Sequence, residues 1–553
     1  MRAEISEIES QCRLTKNQDL KHVIKEKKKE LNQSINTNKR EFFDNKIQNC
    51  KNKVKTTWNL VKAEVGKNTK NDIKNLSLHH DGKHITDPRE ISDAFNNFFI
   101  GAVDEPVMPN ISDPVIENSC GSLKETKFNF VTVSETELEN IIQKFENKYS
   151  TGYDDIPITV IKQVVPCIIF SKIFEKVVYI KFFLYIEQNN LLDKEQHGFR
   201  PGKSTITAAI EFIQSIIAAI DKGDKVIGAF LDMHNAYGSV SHQILGEVLC
   251  SLGVAGVELC WFMTYLCDRK QFVEVPHIIH TNKVTYLETI CSRLLTLLCG
   301  IPQGSIMGPP LFLCYLKGLP GITQRMSASM GIDAPMTINS SMSIYADDIN
   351  EVISGKRQED IEVNSHIILA VIKDFLNSKQ LLLNSSKSNF ISFSTKQSRS
   401  KMNPNIYIEN EELLQVHSTK FLGLFIDENL SWDDHVNNVI RKTSSGIFAL
   451  RQMSKLCNTA ALKTIYYANI HSHISYGISI YGATTKKNLD KILLQQKRAL
   501  RIMFNLKRRD SVKHLFAEHG IFTVYALYVF ETTKHVYVNC QDSLWNNRNN
   551  YKV

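Results

Sequence analysis

Along the first 75 residues apolar positions are sparse. The run Leu20-Lys-His-Val-Ile-Lys-Glu-Lys-Lys-Lys-Glu-Leu31 has helical spacing but little apolar mass, and it predicts helix interrupted by polar loops. From about residue 85 the pattern tightens. Thr86-Asp-Pro-Arg-Glu-Ile91 puts a capping-type residue and a proline ahead of an amphipathic run through Ala94, Phe95, Phe98 and Phe99. A loop rich in Pro, Asn and Asp follows at 104–119, and Ser134-Glu-Thr-Glu-Leu138 opens another helix. Between 225 and 395, strand-like runs (226–231, 342–346, 389–394) alternate with helical stretches (243–252, 310–317, 360–377). That rhythm predicts an α+β core with a central antiparallel sheet. Short strands near 406–408 and 420–426 come next, then mostly helix from 433 to about 540.

Length changes the picture first: 553 residues suffice for two to four domains. Hydrophobic residues at 43% and charged residues at 22% are the mix of a globular chain, which excludes wholesale disorder, a collagen-like fibre and a coiled-coil rod. The formal net charge of +8 sits entirely in residues 1–75, which hold 18 Lys/Arg against 10 Asp/Glu. A basic arm on an otherwise neutral chain points to a polyanion, or to a solvated solubilising helix. A second basic run, 486–509, has nine Lys/Arg against one Asp. The twelve cysteines form no CxxC pair and no Cys/His cluster at zinc spacing, so the expectation is a reducing compartment and no structural metal. The acidic amino terminus does not read as a signal peptide, and the greasiest run, 164–186, is broken by Lys172, Glu175, Lys176 and Lys181. The expected location is intracellular, in cytoplasm and nucleus, with no membrane partner.

Chemistry enters with Tyr345-Ala-Asp-Asp348, set between apolar Ile344 and Ile349. Adjacent carboxylates resist joint ionisation and call for water or a cation, although two Asp at a hairpin tip also make an ordinary turn. The second element is Ala229-Phe-Leu231, a buried-strand signature that ends on Asp232. In an antiparallel sheet that carboxylate can meet the later pair. Three carboxylates at one point suit Mg²⁺, and two such ions would clamp an attacking 3′-hydroxyl and a leaving pyrophosphate.

With these residues in hand, the stretch from about 145 to 540 resembles the reverse transcriptase of non-LTR (LINE-type) retrotransposons, most closely the Jockey-like elements. Phe230-Leu-Asp-Met-His-Asn-Ala-Tyr237 is similar to the family's first carboxylate motif and Tyr345-Ala-Asp-Asp348 to its second. Gly300-Ile-Pro-Gln-Gly-Ser-Ile-Met-Gly-Pro-Pro-Leu-Phe312 resembles the motif between them. Leu383-Asn-Ser-Ser-Lys387 and Lys420-Phe-Leu-Gly423 follow in order, after Ser150-Thr-Gly-Tyr-Asp-Asp-Ile-Pro157 and Gln196-His-Gly-Phe-Arg-Pro-Gly-Lys-Ser-Thr205 upstream. The resemblance implies a right-hand polymerase fold: a palm of antiparallel sheet plus helices, truncated fingers and a helical thumb. The implied plan is a basic helical linker region at 1–90, incomplete fingers with an N-terminal extension at 91–224, palm at 225–395, a primer-grip hairpin at 396–430, and thumb with a C-terminal segment at 431–553.

The roles it implies are these. Asp232, Asp347 and Asp348 bind two Mg²⁺ ions, with Mn²⁺ as the alternative cation, and the Met233 carbonyl offers a further oxygen. Tyr237 lies under the incoming sugar and excludes a 2′-hydroxyl, with Asn235, Gln303 and Gly304 also at the nucleotide. Lys387 stands near the triphosphate as a proton donor, or is a plain surface lysine. Phe421, Leu422 and Gly423 form the primer grip, or a buried strand. Arg200, Lys203, Lys497, Arg498 and Arg501 contact the template backbone, or cover a charged outer face. The partners are an RNA template, a DNA primer and dNTPs, in a ribonucleoprotein with the element RNA.

Three departures from the family pattern stand out. Pro166 is joined to Ser171 through Cys167-Ile-Ile-Phe170, where the family carries a Lys/Arg-bearing fingers hairpin that grips the triphosphate. Gly238 stands where an acidic residue is usual, and Asn235 where Lys or Asp is usual. The endonuclease domain that such elements carry upstream is not represented, so the chain is not expected to nick its own target. Two readings follow: an RNA-directed DNA polymerase, or a catalytically dead retroelement remnant that only binds nucleic acid. A maturase of the group II intron type fits less well, because nothing like its domain X follows the thumb.

Overall fold

The computed structural model describes residues 2–15, 18–65, 75–80, 82–100, 126–145, 171–280, 285–323, 339–398, 402–408 and 410–539. The motif at 150–157, the 166–171 junction and the loop at 104–119 therefore lie outside or at the edge of the described residues. Two compact units emerge: Met1–Asp72 together with Gly423–Val553, and Ile73–Leu422.

The first unit begins with helices α1 (Arg2–Thr15), α2 (Gln18–Asn49) and α3 (Lys53–Glu64). Lys27 and Lys28 of α2 pair with Glu4 and Glu9 of α1 at 3.2 and 2.7 Å. Asn52 caps α3, its side chain accepting from the Lys55 amide. Part of the apolar surface here is used, since Phe43, Ile47, Leu60 and Val61 are buried while Val23, Ile35, Phe42 and Val54 stay exposed. The buried ones pack on carboxy-terminal helices of the same unit. The arm expected to be a linker is thus an integral part of a helical body.

The second unit contains α4 (Pro88–Ile100), α5 (Glu135–Lys144), α6 (Ser171–Gln188) and α7 (Thr205–Asp221), then strand β1 (Lys225–Leu231). Next come α8 (His242–Ser251), α9 (Gly256–Leu266) and α10 (Gly308–Tyr315). The hairpin β2 (Asn339–Tyr345) and β3 (Asp348–Gly355) leads into α11 (Gln358–Ser378), β4 (Asn389–Phe393) and β5 (Leu414–Gln415). Asp87 and Ser134 cap α4 and α5 as their positions forecast, each accepting from backbone amides of the first turn. The five-stranded sheet runs β5-β4-β1-β3-β2, antiparallel except for the short β4–β5 pairing.

Strand alternation sends Ile227, Ala229 and Leu231 of β1, with Ile349 and Ile353 of β3, into the main apolar core, where α11 contributes Ile361, Ile368, Leu369 and Ile372. The opposite face packs on α7, whose Phe212 stacks near Phe230 and Phe421. Both faces of β1 are covered, which is why it reads as a continuous apolar run. The strand expected at 420–426 is interrupted: Ser418–Phe421 and Leu424–Asp427 are separated by Leu422 and Gly423, both at positive φ.

The first unit closes with α12 (Asp433–Met453), α13 (Thr459–Tyr466), α14 (Lys486–Met503) and α15 (Val524–Asn539). Helix α13 runs into one π-helical turn, Tyr467–His471. Gly446 of α12 lies against it, and a Cβ there would come within 2.4 Å of the Asn469 carbonyl oxygen. Among the described residues, all cysteines are free, and no helix is long and apolar enough to cross a membrane.

Candidate active site

The β1–β3 register brings the acidic residues together. Ile349 pairs with Leu231, so the next rung sets Asp348 across from Asp232. Asp348 also pairs with Tyr345, which leaves Ala346 and Asp347 as a two-residue turn at the same end of the sheet. Ala346 has φ +57°, a left-handed conformation that costs a residue with a Cβ about 1–2 kcal/mol. The carboxylates of Asp347 and Asp348 open to solvent, but protein crowds them from below. Lost hydration raises the Asp347 pKa, and the Asp232 charge adds to it. For Asp348 the same cause, followed by repulsion from Asp347 and then Asp232, pushes the value up to about 6.

Asp232 is held by the segment before β4. Its amide donates to Ser388 Oγ at 3.0 Å, its carbonyl accepts from the Asn384 amide at 2.8 Å, and Asn384 Nδ2 reaches Oδ2 at 3.3 Å. Lys387 Nζ lies 3.9 Å from the same oxygen, so this lysine is brought to the carboxylates, with its side chain largely in solvent. Met233 is buried and pairs with Leu383.

Tyr237 stacks on Phe312 of α10 with ring centroids 4.6 Å apart and planes 16° from parallel. Burial, then the nearby charge of Asp347, raises its hydroxyl pKa to about 12. The two departures noted at 235 and 238 are linked, because a side chain at Gly238 would occupy the space taken by the Asn235 amide. Asn235 and Gln303 line a cavity of about 770 Å³ with Arg269, Gly238 and Pro302. Gln303 and Gly304 are exposed on the loop before α10, and that loop is fastened at both ends. The Ile301 amide donates to the Tyr237 carbonyl, and His242 Nε2 meets the Gly300 carbonyl. Glu175 of α6 accepts through one oxygen from the amides of Ile306 and Met307 and from the Tyr265 hydroxyl, all within 2.9 Å.

Not every expected residue faces ligand. The Arg200 guanidinium is turned inward. It grips both oxygens of Glu187 at 2.8 and 2.9 Å and donates to the Asp193 carbonyl. Lys203 donates to the Lys194 carbonyl, and burial lowers its pKa. These cations brace a loop instead of offering themselves to a template. Phe421 is a core residue packed on Phe212 and Phe230. In the other unit, Arg498 is exposed on α14, Lys497 is half-buried, and Arg501 donates to the Asp510 carbonyl. Sequence reasoning missed Glu175, Gln196, Asn384 and Ser388. All four sit inside or beside motifs already singled out, which was the available signal.

Among the described residues no three His, Cys, Asp or Glu side chains are gathered closely enough to hold a metal ion unaided. The donor set still fits a hard cation completed by substrate oxygens. It is all carboxylate, and lost hydration, with repulsion from Asp232 added, disfavours the charged forms of Asp347 and Asp348 in a way that a divalent ion would offset.

The carboxylates at the end of the antiparallel sheet thus share their surroundings with the Tyr237–Phe312 stack and the glycine-bearing loop before α10. Residues 165–426 match the family model of reverse transcriptase (RNA-dependent DNA polymerase), so this stretch is a reverse transcriptase domain. Relatives include the probable RNA-directed DNA polymerase from transposon X-element of Drosophila melanogaster, 24% identical over 60% of this chain and 34% of that one. The probable RNA-directed DNA polymerase from transposon BS of the same fly is 25% identical over the same shares. The RNA-directed DNA polymerase from mobile element jockey, also of Drosophila melanogaster, is 22% identical, again over 60% and 34%. The chain thus spans about a third of the length of these curated relatives. Among solved structures, telomerase from Candida albicans in complex with a TWJ fragment of telomeric RNA aligns at TM-score 0.30 and 12% identity, over 64% of this chain and 57% of that one. No residue correspondence follows from an alignment at that score.

Proposed function

We propose that the chain is the RNA-directed DNA polymerase of a non-LTR retrotransposon, transferring nucleotides from dNTPs to the 3′-hydroxyl of a DNA primer on an RNA template. The observation that carries this reading is the β1–β3 register, whose last pair, Leu231 and Ile349, brings Asp232 and Asp348 to the same end of the sheet as the Asp347 turn, within a reverse transcriptase domain. Mg²⁺ or Mn²⁺, held by these three residues, supplies charge neutralisation at the triphosphate and the primer hydroxyl when bound. Tyr237, fixed flat on Phe312, puts its ring under the sugar and excludes a 2′-hydroxyl sterically. Lys387, 3.9 Å from Asp232 Oδ2, acts as the proton donor to the leaving pyrophosphate. Glu175 holds the loop that presents Gln303 to the nascent base pair. Residues 225–395 act as palm and the helices from 431 as thumb, and the hairpin turn at Leu422-Gly423 acts as primer grip on the buried anchor of Phe421. Lys497 and Arg498 meet phosphates without base code, while Arg501 holds the chain at Asp510.

Primer extension on poly(A)/oligo(dT) with Mg²⁺ tests the reading. Wild type should extend the primer and Asp347→Ala should not. The direct join of Pro166 to Ser171 favours a second reading, a nucleic-acid binder without polymerase activity. Template binding without Asp347-dependent extension would select it.

A further inference from the structure

The loop at 195–203 buries three polar residues in a row, Glu195, Gln196 and His197. Gln196 is 4% exposed and lies beside β2 in a parallel bridge to Ile344. The backbone zips on both sides of that bridge: the Ile344 amide donates to the Glu195 carbonyl at 3.0 Å, and the His197 amide to the Ile344 carbonyl at 2.8 Å. The Gln196 side chain then reaches past the strand end to the Asp347 turn. Its Oε1 accepts from the amides of Ala346 at 2.9 Å and Gly198 at 2.7 Å, and its Nε2 donates to the Ala346 carbonyl at 3.4 Å. One amide therefore engages both polar groups of the residue that carries the turn's left-handed backbone.

The surroundings make the loop a rigid arm. The His197 ring is bonded to Thr207 and Glu211 of α7, and Arg200 is locked to Glu187 of α6. Gly198 touches the turn itself, since a Cβ there would stand 2.5 Å from the Ala346 nitrogen.

We propose that Gln196 is a positioning residue that holds Ala346 in its left-handed conformation, and so aims Asp347 at the cation site shared with Asp232. The inference rests on the polymerase reading for its purpose, but not for its test. An unclamped alanine relaxes toward negative φ, which swings the Asp347 carboxylate away from the Asp232–Asp348 rung. Glycine at 346 has no such preference and needs no clamp.

The test measures Mn²⁺ binding to the full chain by electron paramagnetic resonance, with hydrogen exchange across the β2–β3 turn. Gln196→Ala should weaken Mn²⁺ binding by about tenfold, as expected for the two hydrogen bonds lost at Ala346. It should also speed exchange at the turn while the rest of the sheet stays protected. Gln196→Ala combined with Ala346→Gly should recover most of the Mn²⁺ affinity, which a merely structural role would not produce. Should the single variant fail to fold, Gly198→Ala, which presses on the same amide, should give the same loss of Mn²⁺ binding. Unchanged Mn²⁺ affinity and turn exchange in Gln196→Ala, or no recovery with Ala346→Gly, overturns the proposal. Absence of primer extension by wild type would overturn the polymerase reading alone, and the Mn²⁺ and exchange results would still decide the role of Gln196.

Discussion

Replacing Glu351 by methionine should stabilise the second unit, and by more at pH 7 than at pH 5. Glu351 is fully buried on the core face of β3, opposite Ala229 and between Ile349 and Ile353. Neither carboxylate oxygen has a hydrogen-bond partner, although the Ser340 hydroxyl is near enough to draw the pKa down slightly. Burial dominates and pushes the pKa up to about 8 from an ordinary value of 4.5. The folded protein therefore keeps a proton that the unfolded chain releases, and stability falls as pH rises through this window. The loss is about 3 kcal/mol by pH 7 and about 5 kcal/mol once both states are ionised, against less than about 1 kcal/mol at pH 5. Methionine matches the volume and brings no charge. Urea unfolding followed through the protection of β1–β3 amides, at pH 5 and pH 7, reads the difference directly. Glu351→Met and Glu351→Gln should give stability curves parallel to each other in pH, and wild type should fall away from both by roughly 2–3 kcal/mol. A wild-type curve parallel to both variants would mean that Glu351 does not hold its proton in the fold, and the reasoning fails.

Tyr237→Ala should lower discrimination between deoxynucleotides and ribonucleotides, because the flat floor stacked on Phe312 is removed; incorporation ratios with each triphosphate check it. Glu175→Ala leaves the Ile306 and Met307 amides and the Tyr265 hydroxyl without their acceptor, at about 1–3 kcal/mol for each group that stays buried. The expected result is a raised KM for dNTP with faster hydrogen exchange in the 300–308 loop. Gly446→Ala should destabilise the helical unit by about 3 kcal/mol or more through the clash with the Asn469 carbonyl, seen as a lowered thermal midpoint of that unit. Asn384→Ala should loosen Asp232 and reduce primer extension, while circular dichroism stays unchanged.

Much of the second unit was legible because its signals are local. The run 226–231 is apolar on both faces, and β1 is buried on both. The carboxylate rung follows from strand ends and a two-residue turn, and both can be read from spacing. What stayed hidden is direction. Arg200 and Lys203 announce charge but not that the guanidinium folds back on Glu187, thirteen residues earlier. Phe421 reads alike as a primer contact or as core, and burial against Phe212 places it in the core. The first 72 residues are the largest surprise. Their apolar positions are too few to suggest a packed body, because the surface that buries Phe43, Ile47 and Leu60 comes from helices some 400 residues later. Even charge misleads there, since Lys27 and Lys28 are partly occupied by Glu4 and Glu9.

The union of Met1–Asp72 with Gly423–Val553 sets a timetable for biogenesis. About 350 residues of the other unit leave the ribosome between the two halves, which at 5–20 residues per second is roughly 20–70 s. During that interval the opening helices have been made but have not yet met their partners, and Phe43, Ile47, Leu60 and Val61 face water. The five-stranded sheet can close while the other unit is still half-synthesised. A nascent chain stalled near residue 430 would therefore display a finished carboxylate site behind a basic, apolar-spotted tail, the species most in need of a chaperone or of RNA to cover it.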